Sequence, residues 1–290
     1  MEEINVSKRS KSMKRSKRTS SIIIFIILAL GSLTMIIPFF WMITTSFDWD
    51  AVMNVPFPPR FWPAKPSIKP YQMTFMNVPM GRYLLNSFVV AVGVIIVSCL
   101  SALLAGYSLS KIKFKGSGVV LVLALSTMMI PFEVTMIPQY LLFDKLNLKN
   151  TYWAFYLPAV NYAFGTFLCK QYMDSLPESL REAALIDGAG EFTIFTKIYV
   201  PLCGAIIATM VILQFLGVWN DLLWPLLILS DTQKYTVQIG IAMFTYNQGI
   251  NQMPAIRMAS ATISLLPVLI LYLFLQRYIV ESIALTGLKQ

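Results

Sequence analysis

Two carboxylates lie where the surrounding sequence offers them no water. Glu133 stands inside an otherwise charge-free run between Pro131 and Pro138, and Asp221 follows Trp219 and Asn220 at the end of another. Ionisable groups at membrane depth are costly and mark functional positions, with bonding to neighbouring helices as the ordinary alternative. An indole beside an amide and a carboxylate suits a sugar, which presents apolar C–H faces and many hydroxyls. Glu133, Trp219, Asn220 and Asp221 are therefore candidate substrate-path residues, with Trp224 nearby. A second cluster is "EAALIDGAG", Glu182 to Gly190, a short polar piece between apolar runs.

Catalytic chemistry has little to work with. The chain has no histidine, which removes the commonest general base and metal ligand. Cys99, Cys169 and Cys203 have no paired spacing and read as small packing residues rather than a disulfide or metal framework. No Gly-rich loop ending in Lys-Ser/Thr is present to cradle a nucleotide. The expectation is no catalytic residue, no metal site and no cofactor bound by this chain.

The elements that must position these residues are membrane helices. Of 290 residues, 57% are hydrophobic and 13% charged, with a mean hydropathy of +0.66; soluble domains carry about 25% charged residues. Crossing a bilayer core takes about 20 apolar residues in a helix. Runs of that order occur at 22–47, 83–110, 116–143, 150–169, 198–220 and 258–276, the third interrupted only by Glu133. This predicts an all-α polytopic membrane protein with six transmembrane helices. The first run is too long for the core of a cleaved signal peptide.

Charge sets the expected orientation. The net charge of +9 is concentrated ahead of the first run, at Lys8, Arg9, Lys11, Lys14, Arg15, Lys17 and Arg18. No aromatic platform or RNA-binding motif accompanies it, so nucleic acid is not an expected partner. With the N-terminus inside, the inner segments hold 15 basic residues and the outer ones 8, placing both termini in the cytoplasm. The domain reading is a basic cytoplasmic arm at 1–20, then one six-helix transmembrane domain at 21–290. Segment 48–82 is expected outside. Its seven prolines between Pro56 and Pro79 argue against a regular helix there and for a cap or docking segment. Pro131 and Pro138 should together break the third helix. Small residues at Ser98, Ser101, Ala102, Ala105 and Gly106 should let the second helix approach another closely.

The inner loop at 174–200 is more than a connector. Ser175 and Glu178 fit a capping box with Pro177 just inside the helix, and Gly188 supplies a stop. The expected helix has about three turns and is roughly 16 Å long. Leu180, Ala183, Ala184 and Asp187 would share a shallow stripe suited to docking in another protein's groove. A second helix from Glu191 to Tyr199 would lead into the fifth span, with Pro201 near its start.

Here the sequence resembles the membrane subunits of binding-protein-dependent ABC importers. Their pattern is Glu-Ala-Ala, three residues, Gly, nine residues, Ile-x-Leu-Pro. This chain has Glu182-Ala183-Ala184, Gly188 and Ile198-Tyr199-Val200-Pro201, with Val200 the single departure. Stretches such as "AGYSLSKIKFKG" and "WNDLLWPLLIL" extend the likeness toward the carbohydrate-uptake, MalG-like branch. The tail departs where Ser282 follows Glu281, a place often occupied by glycine.

The resemblance implies a type I ABC importer permease fold in the cytoplasmic membrane of a prokaryote. It implies that Glu182, Ala183, Ala184, Asp187, Gly188, Ile198 and Pro201 form the seat for a cytosolic ATPase subunit. The implied partners are a second, distinct permease, two ATPase subunits holding ATP and Mg, and an extracytoplasmic sugar-binding protein. The alternative is a proton- or sodium-coupled secondary transporter using Glu133 or Asp221. That would need inverted repeats with paired broken helices, and it leaves the Glu-Ala-Ala loop unexplained.

Overall fold

The computed structural model describes residues 2–53, 57–58, 60–112, 114–247 and 253–287, and of 2–20, 244–247 and 277–287 the backbone alone. The basic side chains of the arm and the Glu281–Ser282 pair thus lie outside the described side chains. In chain order the helices are α1 (Glu2–Ser46), α2 (Lys69–Asn77), α3 (Met80–Tyr107), α4 (Ser117–Ser126), α5 (Phe132–Lys145), α6 (Trp153–Tyr156) and α7 (Ala163–Asp174). There follow α8 (Ser179–Ile186), α9 (Glu191–Ile194), α10 (Val200–Leu202), α11 (Gly204–Asn220), α12 (Leu223–Ile228), α13 (Val237–Asn247) and α14 (Pro254–Gly287). Among the described residues no strand forms; Asp48 and Pro66 make one isolated bridge.

Among the described residues three helical stretches are long and apolar enough to cross a membrane: Ser21–Ser46, Met80–Ile112 and Pro254–Gln276. Two bent pairs make up to five: Ser117–Met129 with Phe132–Lys145, at 98°, and Glu191–Leu202 with Gly204–Asn220, at 76°. The expected span at 150–169 is not one helix. Pro158 opens a short 3₁₀ turn, and Asn161 and Tyr162 leave helical geometry at ψ 71° and 73°. This leaves α7 with 12 residues, about 18 Å of helix against a hydrocarbon core of about 30 Å. Nor do both prolines of the third run break it. Pro131 caps α5 at the bend, whereas Pro138 sits inside that helix.

The chain divides into two compact units, residues 1–74 with 248–262 and residues 75–247 with 263–290. In the first, buried Asp48 organises the chain after α1. Its Oδ1 accepts from the backbone N–H of Asp50 (3.1 Å) and of Lys65 (3.3 Å). The Ser46 hydroxyl lies 2.7 Å from that of Tyr71, and Lys69 Nζ stands 4.9 Å over the Trp49 ring. The proline-rich stretch is irregular as expected, but α2 still forms, because Pro70 falls in its first turn, where a missing N–H is no loss.

In the second unit α3 is the central element. Val90, Val94, Ser98, Ala102 and Gly106 are buried at spacings of four, one face of a 3.6-residue period. That face meets α7 and α11. A Cβ on Gly106 would fall 2.5 Å from Cys169 Cβ and 3.0 Å from the Lys170 backbone N, so α3 and α7 touch almost backbone to backbone. The small residues of the second run do what their size predicts. Two apolar clusters form along α3. One gathers Leu103, Tyr107, Cys169, Met173, Ile194 and Tyr199; the other gathers Val90, Val94, Phe143, Phe155 and Trp224.

Candidate functional site

The Glu-Ala-Ala segment folds as α8, eight residues long, about 12 Å and shorter than expected. The capping box does not form. Ser175 Oγ donates instead to the Tyr172 carbonyl at 2.7 Å, closing the end of α7, and the first turn of α8 starts from Pro177 and Glu178. The stop is as expected. Gly188 has φ +77°; its N–H donates to the Leu185 carbonyl and that of Ala189 to the Ala184 carbonyl, at 3.1 and 2.9 Å. These two bonds make a Schellman motif, which satisfies carbonyls left over at the helix end.

The shallow stripe does not face outward as a unit. Ala184 is 7% exposed and belongs to the cluster around Tyr107 and Tyr199. Glu182, Ala183, Asp187 and Gly188 are exposed. The most exposed large apolar side chain of α8 is Ile186, 86% exposed and one turn after Glu182 on the same face. Phe192, at the start of α9, is exposed as well. Sequence reasoning passed over both, although the i, i+4 spacing from Glu182 was a usable signal for Ile186. Ile198 is half-buried in the π-helical turn Phe195–Tyr199 and packs on the same cluster, while Pro201 lies exposed in α10.

Groups distant in sequence tie this loop to the end of α3. Tyr107 Oη donates to Glu191 Oε2 at 2.6 Å, and the Arg181 guanidinium pairs with both Glu191 oxygens. Lys111, 4% exposed, donates to the Leu176 carbonyl at 2.9 Å and reaches Glu178 Oε2 at 3.4 Å. Its Nζ also stands 5.4 Å from the Tyr199 ring centroid. Ser110 Oγ and Lys170 Nζ each donate to Asp174 at 2.6 Å. The hydrogen bond to Glu191 holds Arg181 above the usual guanidinium value. Burial pushes the Asp174 carboxyl up, but Lys170, Ser110 and Lys111 together hold it below the usual range. No motif flags Tyr107 or Lys111, because the contacts span 84 and 65 residues.

Of the four substrate-path candidates, the fold brings two together. Glu133 and Asp221 line one cavity of about 440 Å³, with Gln139, Gln214, Thr236 and Trp224. Trp219 is absent from it: the side chain is 2% exposed, donates Nε1–H to the Ser264 carbonyl at 3.1 Å and stacks on Phe215. Asn220 also falls outside the lining, and its Nδ2 donates back to the Leu216 carbonyl. Asp221 has a structural task too, its Oδ1 accepting from the Trp224 N–H at 3.4 Å beside the start of α12. From Val94, on the cavity wall, to Tyr107, on the loop anchor, α3 runs about 20 Å.

The chain is similar to known proteins. Residues 98–284 match the family model described as "Binding-protein-dependent transport system inner membrane component". The arabinooligosaccharides transport system permease protein AraQ of Halalkalibacterium halodurans is 39% identical over 204 residues, 70% of this chain and 72% of that protein. The sn-glycerol-3-phosphate transport system permease protein UgpE of Yersinia pestis is 30% identical over 276 residues, 93% and 98% of the two chains. A chain in the crystal structure of a bacterial ABC transporter involved in the import of the acidic polysaccharide alginate superposes with a TM-score of 0.78. It is 23% identical, with 91% of this chain and 98% of that one covered, and so shares the fold. The match across well over half of its length shows that this chain belongs to the family of inner membrane components of binding-protein-dependent transport systems.

Proposed function

We propose that this chain is the transmembrane permease subunit of an ATP-driven ABC importer for a sugar or oligosaccharide. It forms part of the translocation path and takes its motion from ATPase subunits through α8. The observation that carries the reading is the anchored helix. An exposed face of Glu182, Ala183 and Ile186 is closed by a Schellman turn at Gly188 and fastened to α3 by Glu191 and Tyr107. A surface so fastened transmits a push instead of absorbing it. AraQ belongs to an arabinooligosaccharide transport system and UgpE to one for sn-glycerol-3-phosphate, and the more similar of the two, AraQ, supports an importer of a sugar or oligosaccharide.

In this assembly the partners are a second, distinct permease, two ATPase subunits that hold ATP and Mg, and an extracytoplasmic sugar-binding protein. Both termini are cytoplasmic, with the loop at 174–200 on the same side. Glu133 and Asp221 belong to the substrate path by virtue of their shared cavity, whereas Trp219 and Asn220 support neighbouring structure. Closure of the ATPases would move the α8 seats and rock the permeases, and a loaded binding protein would favour the outward-facing state through its higher affinity for it.

The test is a gentle pull-down of the chain from native membranes. Recovery of a second permease and an ATPase, with the ATPase lost in Gly188→Asp, is the expected result. Recovery of the chain alone, with transport intact in Gly188→Asp, would instead favour a proton- or sodium-coupled secondary transporter.

A further inference from the structure

Resting on the importer reading, we propose that the cavity between α3, α5, α11 and α12 is a subsite for a neutral, polyhydroxylated ligand and discriminates against anionic ones. Its volume of about 440 Å³ falls within the range of small-molecule sites.

Its polar groups match such a ligand. Glu133 and Asp221 supply carboxylate acceptors, and Gln139 and Gln214 supply amides that both donate and accept. Thr236 is 4% exposed, lines the same cavity, and its Oγ1 has no hydrogen-bond partner. Buried hydroxyls are rarely left so, because desolvation without a compensating bond is unfavourable. Among the described residues, the side chains of Glu133, Gln139 and Gln214 have no partner either. A ligand bearing several hydroxyls satisfies all of these at once, donating to the carboxylates and exchanging bonds with the amides and Thr236.

The walls supply the rest. Trp224 is held in place by its Nε1–H, which donates to the Ala154 carbonyl at 3.1 Å, and by Phe132 set edge-on at 5.8 Å. Phe132 and Phe155 join it in the lining, giving apolar surface for C–H faces. Among the lining residues there is no lysine, arginine or histidine. A phosphate or carboxylate on the ligand would meet two acids and no cation. The polar set is thus selective by charge as well as by hydrogen bonding.

The experiment uses the full complex as purified from membranes, with arabinotriose and its 5-phosphate as probes and saturation-transfer NMR as readout. Arabinotriose should bind at least about tenfold more tightly than the phosphate. Thr236→Val should weaken the neutral probe by about five- to tenfold, the worth of one hydrogen bond. Glu133→Gln with Asp221→Asn should raise binding of the phosphate and collapse the discrimination. Gln214→Leu replaces Thr236→Val if that variant does not assemble. Equal or tighter binding of the phosphate by the unmodified complex would overturn the proposal. So would absence of saturable binding, or indifference to every substitution, in a complex that still holds its ATPase. Failure to recover any ATPase would instead overturn the importer reading beneath it.

Discussion

The Tyr107 hydroxyl donates to Glu191 Oε2 at 2.6 Å across 84 residues of sequence. Arg181 binds the same carboxylate, so one acid joins three elements: the end of α3, the body of α8 and the start of α9. Tyr107 also meets Phe195 and Tyr199 ring to ring at 5.3 and 5.2 Å. The joint is thus apolar on one side and ionic on the other.

Removing the phenol hydroxyl should loosen this joint without emptying the core. Tyr107→Phe is expected to lose about 1.5–3 kcal/mol, the range for a hydrogen bond to a charged group. A double-mutant cycle with Glu191→Gln, read by thermal unfolding of the purified protein, should show coupling of at least about 0.5 kcal/mol. Strict additivity would mean that the contact carries no stability.

Gly188 tests backbone strain separately from space. Its φ is +77°, and a Cβ there would meet nothing within 4 Å. Gly188→Ala is therefore expected to cost about 1–2 kcal/mol through conformation alone, and Gly188→Asn less, since asparagine tolerates this region. Thermal midpoints of the three proteins should rank Gly, Asn, Ala.

Gly106 presents the opposite case, a helical glycine with no room. Gly106→Ala must push α3 from α7 or displace Cys169, and overpacking of this kind costs about 1–3 kcal/mol. Reduced yield and a lower melting point are expected. A midpoint equal to that of the unmodified protein would show that the two helices part easily.

Ile186 separates docking from folding. It is 86% exposed, so Ile186→Asn should change stability by no more than about 0.5 kcal/mol. It should nevertheless reduce the ATPase recovered with the chain severalfold. Unchanged recovery would remove Ile186 from the docking face.

Asp174 should leave a mark in acid. Its folded-state carboxyl lies below its ordinary value despite burial, held there by Lys170, Ser110 and Lys111. A depressed carboxylate stabilises above its unfolded value and loses that contribution as pH falls through the folded one. The melting point should fall below about pH 4, and Asp174→Asn should flatten the decline. An unchanged profile in that variant would assign the acid sensitivity to other groups.

Much of this was legible before any fold was considered. Apolar runs of membrane length, the small-residue face ending at Gly106 and the turn at Gly188 are local properties of composition and backbone, set by residues a few positions apart. The Glu182–Pro201 motif revealed the family for the same reason: its spacing is contiguous. Less local features were misjudged. Among the described residues the six expected spans become three long helices, two bent pairs and the short α6–α7 run, because a run of apolar letters does not show which proline breaks the helix. Pro131 and Pro158 do, while Pro138 is absorbed.

What the sequence by itself determined is that this chain belongs in a membrane and carries the Glu182–Pro201 loop motif, since hydrophobicity and motif spacing are both read along the chain. Only the tertiary structure decided what holds that loop and what faces the cavity. Tyr107 meets Glu191, and Glu133, Asp221 and Thr236 line one cavity, because α3, α5 and α11 bring them there. Trp219, two residues before Asp221 on the same segment, turns instead to Ser264. Neighbours in sequence diverge on a helix by about 100° per residue, so which of them lines a cavity is settled by the packing around it.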